Sequence, residues 1–66
     1  MTRAQVIEDA QALHAAALAA EDRAAAATSP EVQQRALNEA QRLHERARST
    51  RALAPRAALR EMGRAA

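Results

Sequence analysis

The chain has 66 residues, with no cysteine, no aromatic residue, ten arginines against eight acids and a large excess of alanine. A chain this short buries only about 60% of the surface its unfolded form exposes. Without a disulfide, a Cys/His zinc cluster or a bulky aromatic side chain to bury, it depends on close helix packing or on self-association.

The net charge of +2 hides an uneven distribution, since residues 1–45 carry four Arg against seven acids and residues 46–66 carry six Arg against Glu61. Every cation is arginine and none is lysine. With the alanine excess, this matches the codon bias of a GC-rich genome, which weakens arginine content as a sign of a polyanion partner. No apolar run approaches the ~20 residues of a membrane span, and Glu8-Asp9 interrupts any signal-peptide pattern. A cytoplasmic protein that does not engage a membrane is expected.

Alanine loses no side-chain entropy in a helix, so the composition favours an all-α fold almost throughout. Thr2, followed three residues later by Gln5, fits a capping box that opens a first helix over about residues 3–27. Within it Val6, Ala10, Leu13, Ala17, Ala20, Ala24 and Ala27 follow an unbroken 4-3-4-3 spacing, the seam of a coiled coil.

Thr28-Ser29-Pro30-Glu31 then supplies a cap, a proline preset for the first helical position and an acid against the positive helix end. The turn is placed at residues 28–29 and a second helix at about 30–54, its end falling somewhere between Arg48 and Ala54. Its seam runs through Ala36, Ala40, Leu43, Ala47, Thr50 and Ala54, with Val32 a turn earlier. The phrase Ala10-Gln11-Ala12-Leu13-His14 recurs as Ala40-Gln41-Arg42-Leu43-His44. Duplication and coincidence in an alanine-rich chain both account for it.

Folding back near residue 28 sets Ala10 against Ala47, Ala17 against Ala40 and Leu13 beside His44. Small residues then meet small ones, and the backbones approach to the lower end of the usual 8–10 Å helix separation. Residues 1–54 are thus read as an antiparallel hairpin with an alanine-rich seam of Val6, Ala10, Leu13, Ala17, Ala36, Ala40, Leu43 and Ala47. Residues 55–66 form an Arg-rich C-terminal segment. There Ala54-Pro55 marks a break, and residues 56–65 are either a short helix or a frayed tail, with Arg56, Arg60 and Arg64 on one side and Ala58, Leu59 and Met62 on another.

A two-helix hairpin covers only its seam. Ile7, His14 and Leu18 on the first helix, and Leu37 and His44 on the second, form a stripe beside it on one common face. Covering that face with a second copy gives a four-helix bundle, and these five residues are the expected oligomer interface. Two other ways to cover it are Leu59 and Met62 of a folded-back C-terminal segment, giving a monomeric three-helix bundle, and an unrelated partner helix. The expected shape resembles the small dimeric helical hairpins of the Rop-type plasmid copy-control proteins, a likeness of outline without any shared residue motif.

Neither histidine has a Glu, Asp or His three or four residues further on, so no metal site is expected on either helix. No catalytic residues and no cofactor are expected either: Ser29 sits at a cap, Ser49 lies near a helix end, and one glycine builds no phosphate loop. Glu8-Asp9 and Glu21-Asp22 read as solvated faces. The expected function is non-enzymatic: a self-associating adaptor or regulatory subunit that binds another protein. The runner-up is a regulatory nucleic-acid binder using Arg48, Arg51, Arg56, Arg60 and Arg64, although no stacking aromatic accompanies them.

Overall fold

The computed structural model describes the backbone of residues 1–65 and the side chains of residues 1–63, and over these residues the chain is all-helical. Helix α1 spans Arg3–Ala26, α2 spans Pro30–Arg51 and α3 spans Ala54–Ala65. The starts of the two long helices follow from local chemistry. The Thr2 hydroxyl accepts the Gln5 N–H at 3.1 Å while the Gln5 side-chain oxygen accepts the Thr2 N–H at 2.8 Å, a complete capping box. Ser29 Oγ accepts the Val32 N–H at 3.3 Å, and Pro30 opens α2.

Helix α1 stops at Ala26, one residue before the expected end, because Ala27 is already extended (φ −68°, ψ 136°). Ser29, ahead of proline, is extended too (φ −116°, ψ 135°). The three-residue connection then returns the chain alongside α1, as the contacts between arms record: Arg23 Nη2 meets Glu39 Oε2 at 3.0 Å, and His44 Nε2 meets Glu21 Oε1 at 2.6 Å. His14 stands against His44, so residue numbers fall along α1 as they rise along α2.

The alignment of the arms differs from the expected one. His44 touches both His14 and Glu21, which lie two turns apart on α1, so its own level is near Ala17-Leu18 and not beside Leu13. The connection through residues 27–29, extended at Ala27 and Ser29, carries the chain past the end of α1 before α2 begins, shifting the arms by about one helical turn. A shift of one turn keeps a 4-3 seam in contact, and the same alanines remain enclosed.

Val6, Ala10, Ala17, Ala20 and Ala24 of α1 are buried, with Ala36, Ala40 and Ala47 of α2. Leu13, Leu43 and Thr50 are half-buried at the margin of the seam, and Val32 is exposed. Apart from Val6, every buried residue among those described is alanine, so each contributes little more than one methyl, about 0.8 kcal/mol. Close backbone approach and dispersion carry the packing between the arms.

Helix α2 ends at Arg51, within the expected span of Arg48 to Ala54. Pro55 lacks an N–H, and its ring crowds the carbonyl four residues back, that of Arg51. The chain tightens there, with Leu53 N–H donating to the Thr50 carbonyl at 3.0 Å, and resumes as a helix at Ala54. The C-terminal segment is therefore helical and begins earlier than expected. Ala54 and Ala57 bury Val6, with Ile7 at the edge of the cluster. Glu61 Oε1 accepts the Arg3 N–H at 2.8 Å, placing an acid at the positive end of α1 and satisfying one of its unpaired first-turn donors.

The Cα trace measures 56 Å in its longest dimension, beyond the roughly 36 Å length of α1, so α3 continues past the α1 N-terminus. Leu59 and Met62 are 67% and 68% exposed. The three-helix alternative is corrected on this point: α3 runs on at the end of the hairpin and does not lie across its open face.

Candidate functional site

The face beside the seam is built by helical geometry alone. A residue one place after a seam position points about 100° away from it, and in antiparallel arms that rotation carries both stripes to the same side. Ile7, His14 and Leu18 thus share a face with Leu37 and His44. The rings of His14 and His44 stand with centroids 5.5 Å apart and planes tilted by 58°.

A groove of about 310 Å³ opens on this face, lined by Ile7, Ala10, His14, Leu18, His44 and Ala47 together with the polar Gln11, Arg48 and Arg51 and the small Ala15. A second hollow, bordered by Glu21, Leu37, Ala40 and Gln41, shares His44 and Arg48 with the first. The two adjoin at His44 and Arg48, with Ile7 on the first and Leu37 on the second. Leu18 and Leu37 are 45% and 44% exposed, while Ile7 is half-buried because it also packs on the Val6, Ala54 and Ala57 cluster.

Glu21 is the residue of this face that the sequence did not disclose. Read as part of a solvated acidic pair, it is 23 residues from His44 and yet holds that ring's Nε2 at 2.6 Å. An ionised carboxylate only accepts, so Nε2 carries the hydrogen and Nδ1 of a neutral ring keeps its lone pair. No i+3 or i+4 rule on one helix could find the contact; the register of the hairpin makes it. On the opposite flank Arg23 and Glu39 pair in the open, with side chains 58% and 50% exposed.

Arg48, Arg51, Arg56 and Arg60 are all exposed and join no ion pair among the described residues. The side chain of Arg64 lies outside the described residues. No group of three or more His, Cys, Asp or Glu side chains among the described residues is placed to hold a metal ion within one chain. No helix among them is long and apolar enough to cross a membrane.

These features define an all-α chain whose two long arms meet along an alanine seam and leave one large apolar face open. Comparison with family models, with curated proteins and with solved structures gives no match.

Proposed function

We propose that this chain is a small non-enzymatic interaction protein that pairs with a second copy of itself through the face of Ile7, His14, Leu18, Leu37 and His44, forming a four-helix bundle that serves another protein as an adaptor or regulatory subunit. The observation that carries the self-pairing is the surface left uncovered. A compact monomer of 7.1 kDa exposes about 4,100 Å² by the usual mass scaling, whereas this chain exposes 5074 Å². The excess of about 1,000 Å² is close to what one partner contributes to a stable interface, about 800 Å². The radius of gyration, 15.8 Å against about 11 Å for a compact domain of this length, reflects the rod-like hairpin and the extension of α3 beyond it.

A core that among the described residues consists of one valine and nine alanines supports the same reading, because so little apolar volume stabilises a lone hairpin weakly. Laying two such faces together buries Leu18 and Leu37 from both copies. Leu53, Leu59 and Met62 stay exposed at the end of the bundle beside Arg56 and Arg60, a second surface suited to an acidic, partly apolar protein partner. Sedimentation equilibrium over a hundredfold range of concentration tests the pairing. A mass moving from 7.1 kDa towards twice that value supports it, and a mass fixed at 7.1 kDa refutes it.

The free state of Arg48, Arg51, Arg56 and Arg60 favours a second reading, a regulatory nucleic-acid binder. Neutralising several phosphates would give salt-dependent, sequence-blind affinity. Mobility shifts with RNA and DNA at low and moderate salt, with and without residues 52–66, test it. No shift at low salt, or one that ignores the truncation, removes that role from the C-terminal helix.

A further inference from the structure

We propose that the paired hairpins bind one divalent ion of the late first-row transition series, zinc or a chemical neighbour, on the four imidazoles of His14 and His44 from the two copies. The inference rests on the self-pairing proposed above and adds a ligand at the centre of that interface.

The two rings stand at the separation that shared coordination requires. With a zinc–nitrogen bond of ~2.1 Å and a further ~1.2 Å from nitrogen to ring centre, two imidazoles on one tetrahedral ion have centroids ~5–5.5 Å apart. His14 and His44 are at 5.5 Å before any ion is considered. They come from different helices, so the arrangement is set by the hairpin and not by the flexible reach of one segment.

The carboxylate is also where a metal-binding imidazole needs one. Metal-bound histidines donate their second ring N–H to a carboxylate, carbonyl or water, which fixes the tautomer and raises the basicity of the ligating nitrogen. Glu21 Oε1 stands 2.6 Å from Nε2 of His44, and with the hydrogen of a neutral ring on Nε2 the nitrogen open to a metal is Nδ1. His14 is exposed on the same face.

A single copy offers two imidazoles, half of a tetrahedral shell, and no three-ligand group among the described residues is placed to hold a metal within one chain. A second copy supplies the missing half. A twofold axis lying in the plane of the face and passing through the middle of the stripe brings the histidine levels of both copies together, since His14 and His44 lie between the apolar ends at Ile7 and Leu37. All-nitrogen ligands suit zinc, copper, nickel and cobalt, and not magnesium or calcium, which take oxygen. Burial between two copies would otherwise leave ring nitrogens without partners, which an ion at the centre remedies.

The test uses the full chain without an affinity tag, stripped with chelator and titrated with Zn2+ alone and with Co2+ alone. The expected result is one ion per two chains, a visible cobalt spectrum of tetrahedral type and a higher thermal midpoint with zinc. His14→Ala and His44→Ala each abolish binding, and Glu21→Gln weakens it by about 10- to 100-fold. Both histidines lie outside the buried seam, so the variants keep the helical circular dichroism of the parent, and sedimentation of each variant is read alongside. A chain that dimerises and takes up no zinc overturns the metal inference and leaves the pairing intact. So does one ion per chain that survives His14→Ala. A chain that stays monomeric with and without zinc overturns both.

Discussion

Truncating Leu18 and Leu37 together isolates the open face from the seam. A leucine moved fully out of water contributes about 1.5–3 kcal/mol. At 45% and 44% exposure in a lone chain, each has a little under half of that still to gain, about 0.7–1.3 kcal/mol. A symmetric pair contains four such side chains, so Leu18→Ala with Leu37→Ala removes about 3–5 kcal/mol, or two to four decades in the dimer Kd. Sedimentation equilibrium measures the constant directly. Circular dichroism at matched fractions of dimer controls for folding, and the new alanines favour helix. A double variant that dimerises as tightly as the parent refutes the assignment of this face.

Three further substitutions probe the hairpin itself. Ala17 is completely buried, so Ala17→Leu forces the arms apart and costs about 1–3 kcal/mol in urea unfolding, while Ala16→Leu on the exposed side stays near neutral. Equal midpoints for the two would contradict a tight alanine seam. Ser29→Ala deletes the cap of α2 and lowers stability by about 1 kcal/mol, read from the same unfolding curves; an unchanged midpoint would mean that Pro30 alone sets that boundary. Gly63 sits in helix α3, and a methyl added there would meet nothing within 4 Å, so Gly63→Ala raises local helix stability by about 0.5–1 kcal/mol. Amide exchange along α3 should slow accordingly, and faster exchange would deny that the segment is helical in solution.

Which features could be read from the sequence depended on whether their cause was local. Thr2 with Gln5, and Ser29 with Pro30, mark helix starts because a cap is settled within four residues of chain. The 4-3 spacing of the alanines is similarly local, and it picks out residues that the fold encloses. The register of the arms is different. It depends on how far residues 27–29 travel before α2 begins, and an extended Ala27 shifts it by about a turn with no change in seam composition. Glu21 and His44 meet through that register, so spacing along either helix alone could not pair them. Glu61 was hidden for a related reason, since its role at the start of α1 exists only once α3 has resumed at Ala54. The break at Pro55 was visible, but the direction taken after it was not.

The most direct test of a folded-back alanine seam with one face closed by a second copy is light scattering combined with small-angle X-ray scattering on the eluting full chain. The account predicts a mass near twice 7.1 kDa, with a radius of gyration within about 3 Å of the 15.8 Å of one hairpin. A straight helical rod of 66 residues would be about 99 Å long with a radius of gyration near 29 Å. That rod-like value, or a mass that stays at 7.1 kDa at every concentration, would contradict it.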